Sequence, residues 1–519
     1  MPAQRVKLCG AGPHPQPAAA PSPRSGLYCT QWHRPEMMLH GGASSSTNAT
    51  VRASNVPATS AWRFAINASL IQELAESQQL SRQQHANYAR LFRQQNQPES
   101  RLNIAVVGGS VTAGQGCKEG STKGKLCAYP ARFESWLQTK KVNASIHVHN
   151  LAVGGSTSAS TLPQLGLLVT NMDDTDASKE DLIIIDFSVN DHAEIWANHL
   201  TLLQLEAVME AQLDYMSSQH PALPILIFEA CCFCNRYGAS SVKERAASRW
   251  GVPFLLYDAP VLNNGCNRKT WPPAPGNNLY THPSAKGHTQ LAALLSAWWG
   301  TFERWIAQQH SHSSFTVVPF PPPTAIVAAE ADKYRVCKAV TQYDASKYLF
   351  SRHEGRSGLQ QYDSQRTILA TGWTLFEDRP GKAGWISSEV GAVLEFNLTF
   401  GRHPSVSVVY ERSYQSFGSA FATLFAQGSY ANGFTEAVVN LTMDGILQKS
   451  SSWDAVNITQ AHYDDTFASL VQFAKVKPHS AGLLRLTRPA ALATMNSSAH
   501  IGLTSAHPGK FKVRYVSSC

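Results

Sequence analysis

The sequence predicts an α/β protein, a doubly wound parallel sheet in three layers, followed by an all-β sandwich-like domain. Three observations carry this prediction. Between residues 100 and 309, short apolar runs alternate with amphipathic stretches, the strand–loop–helix rhythm of a parallel sheet with right-handed crossovers. Several of those runs stop at Gly-rich or polar segments, where open α/β sheets bind ligands. Beyond residue 325 the apolar period falls to two, with turn residues between the runs.

Residues 1–59 are rich in Pro, Ala, Ser, Gly and His without periodicity and read as a disordered segment. A helical lead-in over 60–99 follows. Ser69 and Gln72 form a capping-box pattern, and Leu70, Leu74, Tyr88, Leu91 and Phe92 share a face. Asn103–Val107 is the first buried strand, ended by Gly108-Gly109; Ile146–Leu151 is the second, closed by Gly154-Gly155. Asp181–Phe187 (DLIIIDF) has the continuous Ile run of a central parallel strand. Leu200–Gln219 reads as an amphipathic helix, Pro224–Glu229 (PILIFE) as the fourth strand and Val252–Tyr257 as the fifth. His288–Gln309 closes the domain of residues 100–309 as a helix carrying Leu291, Leu294, Leu295, Trp298 and Trp299. Residues 310–325 form a linker, since Pro321–Pro323 fits neither helix nor central strand. In the C-terminal domain, 326–519, Val406, Val408 and Tyr410 alternate with polar residues, as do Phe511, Val513 and Tyr515.

Composition narrows the function. A formal charge of +8 over 519 residues, with no long Lys/Arg run, gives no nucleic-acid partner. No stretch reaches the roughly 18–20 apolar residues of an integral membrane segment. Seven Asn-X-Ser/Thr sequons, at Asn48, Asn67, Asn143, Asn397, Asn440, Asn457 and Asn496, exceed what 22 Asn would give by chance and favour a glycoprotein of the secretory pathway or extracellular space. Ten Cys agree with an oxidising compartment, although the first sixty residues hold no signal-peptide core.

The chemistry concentrates in four short blocks. In Gly108-Gly109-Ser110-Val111-Thr112-Ala113-Gly114, small neighbours leave the Ser110 hydroxyl exposed at a strand-to-helix turn, with backbone N–H groups able to face an oxyanion. The GxxxxGK[ST] and GxGxxG spacings of phosphate and dinucleotide sites are absent, and a plain tight turn is the competing reading. Gly154-Gly155 at the next strand end lets backbone approach a ligand. Ser188-Val189-Asn190-Asp191 offers, in Asn190, a neutral amide donor, while Asp191 suits a helix cap or a packing role. His282-Pro283 stands just before the closing helix, with Pro283 fixing an extended approach.

That order of serine, glycine, asparagine and histidine resembles the SGNH hydrolase superfamily, the GDSL-like lipases and esterases, over about residues 100–300. The resemblance implies a flavodoxin-like three-layer fold, Ser110 as nucleophile and His282 as its base. It implies an oxyanion hole from Ser110 N–H, Gly155 N–H and the Asn190 side chain, and an acyl-serine intermediate without metal or organic cofactor. Three positions depart from the pattern. Gly109 replaces the usual Asp of the GDS triplet, Ser188 replaces a Gly, and Leu279 stands where the family places the Asp that orients the histidine. In the serine-protease template that loss costs about 10⁴-fold. A backbone carbonyl, Asn277, Asn278 or Asp258 are the alternatives for orienting His282.

Cys117 and Cys127 bracket a Lys/Gly-rich loop beside Ser110, where a disulfide would shape the substrate entrance. Cys231-Cys232-Phe233-Cys234 lacks a second ligand pair and reads as disulfide or buried thiols rather than metal. Cys337 and Cys519 are a candidate pair at the ends of the second domain. Trp373, Asp378, Gly384-Trp385 and Tyr410–Tyr414 supply aromatics either for the sandwich core or for stacking on sugar rings. The expected function is hydrolysis of a carboxylic ester, with an O-acyl group on a glycan among the substrates. An O-acyltransferase using the same serine, and a non-catalytic glycan-binding protein with a degraded site, are the alternatives.

Overall fold

The computed structural model describes residues 8–10, 28–30, 68–140, 144–165, 181–197, 200–232, 234, 238–257, 271–274, 282–311, 322–331, 338–339, 367–377, 383–399, 406–413, 418–426, 436–444, 451–457, 481–487 and 510–518. Within 1–59 the described part is one antiparallel pair, Leu8–Gly10 with Tyr28–Thr30. The remainder of that segment, with Cys337, Cys519, Asp378, Tyr414, Leu279, Asn277, Asn278 and Asp258, lies outside the described residues.

The lead-in forms two helices, α1 (Ala68–Glu76) and α2 (Arg82–Gln95). Ser69 is helical, not a cap, and Gln72 donates to Glu76 instead of closing a capping box. The break is set by Ser81, whose side chain accepts from Gln84 N–H and starts a new helix. Although amide-rich, α2 is buried on one side. Gln84 and Asn87 exchange hydrogen bonds with the backbone at Leu223 and Ile225, and the Tyr88 hydroxyl donates to the Ile225 carbonyl.

Five parallel strands follow: β1 (Arg101–Gly108), β2 (Ser145–Asn150), β3 (Leu182–Asp186), β4 (Ile225–Glu229) and β5 (Phe254–Leu256). Their order across the sheet is β2-β1-β3-β4-β5, the flavodoxin-like arrangement. Between and around them run α3 (Tyr129–Lys140), α4 (Ser158–Thr161), α5 (Ser188–Trp196), α6 (Leu202–Gln219), α7 (Ala239–Trp250) and α8 (Ala285–Ser311).

Alternation along β3 explains its unbroken apolar run. Leu182 and Ile184 enter one core with Tyr88, Phe92, Phe133, Trp298 and Trp299, whereas Ile183 and Ile185 enter the opposite core with Leu205, Met209, Leu213 and Val242. Each such fully buried side chain contributes about 1.5–3 kcal/mol relative to exposure. Helix α6 begins where Thr201 and Gln204 close a capping box, two residues later than the apolar pattern suggests. Helix α8 starts three residues earlier than expected, at Ala285, because Ser284 already accepts the His288 N–H. It extends through Ser311, into the expected linker, and a further helix, α9 (Ala325–Ala331), begins at that linker's last residue and runs into the region expected to be all-β.

The C-terminal region is an antiparallel sandwich. Its strands are β6 (Thr367–Thr371), β7 (Thr374–Glu377), β8 (Ala383–Ser387), β9 (Val393–Thr399), β10 (Val406–Ser413), β11 (Ser419–Ala426), β12 (Glu436–Asp444), β13 (Ser451–Asn457), β14 (Ala481–Thr487) and β15 (Phe511–Ser518). One sheet runs β7-β8-β15-β10-β13, with Lys338–Ala339 also pairing β15, and the other β6-β9-β14-β11-β12. Val406, Val408, Tyr410, Phe511 and Val513 meet Trp373, Phe396 and Leu424 in its core. Trp373 and Tyr410 both pack against Phe511, so these two aromatics fill the core.

Candidate active site

The sheet delivers the four sequence blocks to one edge. Strand β1 ends at Gly108, and residues 110–116 form a run of turns instead of entering a helix directly. A loop closed by the Cys117–Cys127 disulfide intervenes, and α3 begins only at Tyr129. Ser110 is buried in this turn; its N–H and its hydroxyl both donate to Asn190 Oδ1, each at 3.1 Å.

Asn190 lies in the first turn of α5, directly beyond β3. The Gly109 backbone passes so close that a Cβ there would sit 2.2 Å from Asn190 Oδ1 and 2.9 Å from the Ser156 carbonyl. Any side chain at 109 would therefore force Asn190 to shift in this arrangement. Gly155 is the third residue of the turn Val153–Ser156, at φ +86°, and the turn's own hydrogen bond runs from Ser156 N–H to the Val153 carbonyl. Asn150 ties the two loops together, donating to the Thr112 carbonyl at 2.7 Å and accepting from Ala152 N–H.

His282 is half-buried and held through its backbone. Its carbonyl accepts from Ala274 N–H at 2.9 Å, Pro283 bridges Pro273, and Ser284 N–H donates to the Pro272 carbonyl. It faces the far end of the nucleophile loop: a Cβ on Gly116 would lie 3.1 Å from the His282 Cβ. Burial lowers the imidazole pKa from 6.5 to about 4. The loop Gly109–Gly116 therefore touches the Asn190 and Ser156 segments at one end and His282 at the other.

Beside these loops lies a set of buried acids, of which the motif reading singled out Asp191 but not Asp186 or Glu229. Asp186, the last residue of β3, accepts from the hydroxyls of Thr112, Tyr129 and Ser188. Asp191 accepts from Ser158 N–H at 2.8 Å and Ser158 Oγ at 2.6 Å, which is the packing role open to it from sequence. Lys243 of α7 bridges Asp191 and Glu229 at 2.8 and 2.6 Å. Burial raises the pKa of Asp186 and of Glu229, against hydrogen bonding to the first and the Lys243 charge beside the second. Burial alone would lower that of Lys243, but Asp191 and Glu229 outweigh it and raise it. The available signal was an acid inside each apolar strand run, DLIIIDF and PILIFE.

Among the described residues no group of three or more His, Cys, Asp or Glu is arranged to hold a metal ion, and no helix is long and apolar enough to cross a membrane. Cys231 and Cys234 form a disulfide, and Cys232 is disulfide-bonded as well.

A β2-β1-β3-β4-β5 parallel sheet with serine, glycine, asparagine and histidine on loops at its carboxyl edge defines an SGNH-type three-layer α/β protein. Residues 106–290 match the model of the GDSL-like lipase/acylhydrolase family, and the chain carries a domain of that family. It is an ester-hydrolysing enzyme. No curated protein matches the chain. Among solved structures it is similar to a two-domain esterase (CEX) active on acetylated mannans, co-crystallized with mannopentaose. The identity is 16%, 83% of this chain and 94% of that chain are covered, and the TM-score is 0.49. A family two carbohydrate esterase from Cellvibrio japonicus is 16% identical, covering 40% of this chain and 63% of that one, at a TM-score of 0.28. Phospholipase A1 from Streptomyces albidoflavus NA297 is 13% identical, covering 38% and 98%, at 0.26.

Proposed function

We propose that this domain is a serine esterase cleaving carboxylic esters through an acyl-serine intermediate. One observation carries the reading: a single loop, Gly109–Gly116, holds Ser110 against Asn190, passes Ser156 and ends beside His282. In the resting state the Ser110 hydroxyl and N–H are both spent on Asn190 Oδ1. Substrate binding replaces these bonds. The hydroxyl turns to His282, which takes its proton as Oγ attacks the ester carbonyl. Rotation of the Asn190 amide frees Ser110 N–H and brings Nδ2 toward the oxyanion, with Gly155 N–H as third donor. His282 returns the proton to the leaving alcohol, then activates water to release the acyl group. Ser110 and His282 are the catalytic pair, and no cofactor takes part.

The proposed substrate is an O-acyl group on a glycan, on the ground that an antiparallel sandwich is joined to the esterase domain. Secretion is the proposed route, supported by the disulfides Cys117–Cys127 and Cys231–Cys234 and by the exposed sequon residue Asn397. The test is Ser110→Ala in a p-nitrophenyl acetate assay, with mass analysis after an organophosphonate. Loss of turnover with the fold retained, and a wild-type adduct confined to Ser110, support the mechanism. Unchanged turnover, or no adduct, removes it.

A further inference from the structure

Two of the three residues assigned to the oxyanion hole have a neighbour, two or three positions on, gripped by a buried carboxylate, and the third is directly followed by one. Two residues after Ser110, the Thr112 hydroxyl donates to Asp186 Oδ2 at 2.6 Å. Three residues after Gly155, Ser158 donates through both N–H and Oγ to Asp191. Asp191 itself follows Asn190 in the first turn of α5. The loop from β2 and the helix from β3 are thus joined by one carboxylate, with both of its oxygens used.

A buried carboxylate holds that geometry only while it stays ionised, which needs a counter-charge. Lys243 supplies it. The residue is 1% exposed, and its ammonium touches Asp191 Oδ2 at 2.8 Å and Glu229 Oε1 at 2.6 Å. Glu229 is in turn fixed at the end of β4 by the Ser240 hydroxyl at 3.1 Å. The chain of contacts runs from β4 and α7 through Lys243 to Asp191, and from there to the loop bearing Gly155 and the helix bearing Asn190. Neither Lys243 nor Asp191 is given a place in the acyl-transfer steps.

We infer that Asp191 and Lys243 are positioning residues that set the spacing between the Gly155 amide and the Asn190 side chain. This rests on the esterase reading above. An asparagine at 191 keeps one acceptor for Ser158 N–H but loses the acceptor for Ser158 Oγ and faces the ammonium with a neutral amide. The two loops then lose their common clamp while the ester-binding surface is untouched.

The experiment compares wild type, Asp191→Asn, and the isosteric neutral combination Asp191→Asn, Glu229→Gln, Lys243→Met. The assays are p-nitrophenyl acetate turnover, the rate of Ser110 phosphonylation and thermal unfolding. The expected result is a kcat lowered at least about tenfold in both variants with KM within about twofold, and phosphonylation slowed in parallel. The neutral combination is also expected to unfold closer to wild type than Asp191→Asn does, since no buried charge is left unpaired. Return of kcat with stability in the neutral combination overturns the inference, because a purely structural ion pair behaves that way. Wild-type phosphonylation with an equal rate in Asp191→Asn also overturns it while sparing the esterase reading. Failure of the wild type to react at Ser110 removes that reading itself.

Discussion

In the proposed mechanism, burial of His282 sets the acid limit of the reaction. Its imidazole pKa is lowered from the ordinary 6.5 to about 4 by loss of solvent. In that mechanism the neutral ring removes the Ser110 proton, so kcat/KM is expected to follow the neutral fraction as pH falls. At about pH 5 a ring titrating near 4 is roughly 90% neutral, whereas an ordinary histidine is only about 3% neutral. Activity at about pH 5 is therefore expected to be roughly thirty times what an unperturbed base would retain, with the acid limb falling near pH 4. The assay is acetate release from a soluble acetyl ester between about pH 3.5 and 8, quantified by chromatography so that a chromophore's own ionisation does not enter. Tryptophan fluorescence at each pH confirms that the fold persists. A limb centred between about 6 and 7 with the fold intact would refute the argument that burial holds this imidazole neutral.

Two further perturbations follow from the same edge of the sheet. Gly109→Ala forces a Cβ to within 2.2 Å of Asn190 Oδ1, so the asparagine must move. A kcat loss on the order of 10²–10³, the cost of one oxyanion donor, is expected in the ester assay, and wild-type turnover contradicts it. His288 is fully buried with its pKa lowered to about 3, chiefly by burial, with Arg132 and His282 adding to it. The unfolded chain protonates this ring below about pH 6.5 while the fold does not, so its contribution is complete above that pH and declines toward about 3. His288→Leu should flatten stability against pH in that window by up to about 1.4 kcal/mol per pH unit, read from denaturant midpoints; an unchanged slope would count against a neutral buried ring.

The parallel sheet was legible because each strand is an apolar run that must be covered on both faces, as Ile183 and Ile184 in opposite cores illustrate. The sandwich was legible from the two-residue period of Val406, Val408 and Tyr410, all of which point inward. Boundaries were less so, because caps decide them: Ser81 divides the lead-in and Thr201 delays α6, and neither changes the apolar pattern. Helix α2 shows the limit of hydrophobic periodicity. Its buried Gln84 and Asn87 look like surface residues until the backbone around Leu223 and Ile225, which their amides satisfy, is brought alongside. At the site, Ser110, Gly155, Asn190 and His282 stood out because small or polar residues interrupt strand ends where ligands bind. The exchange between Ser110 and Asn190 Oδ1 was not readable, since it depends on the Gly109 backbone approaching an asparagine 80 positions away from the serine.

The buried acids show how such information is present in a sequence and still incomplete. An ionised carboxylate inside an apolar strand is costly unless it finds donors or a counter-charge. Asp186 within DLIIIDF and Glu229 within PILIFE therefore each announce a partner. What they do not announce is which one. Thr112, Tyr129 and Ser188 answer Asp186 from three different segments, and Lys243 answers Glu229 from a helix whose sequence, ASSVKERAASRW, reads as solvated on its charged side. Only the crossover that lays α7 over β4 turns that lysine inward, and the same crossover carries it on to Asp191, one residue from Asn190. The apolar runs thus fix where charge must be compensated, and the topology chooses the compensating group. In this fold the choice lands beside the loops that carry the proposed catalytic residues.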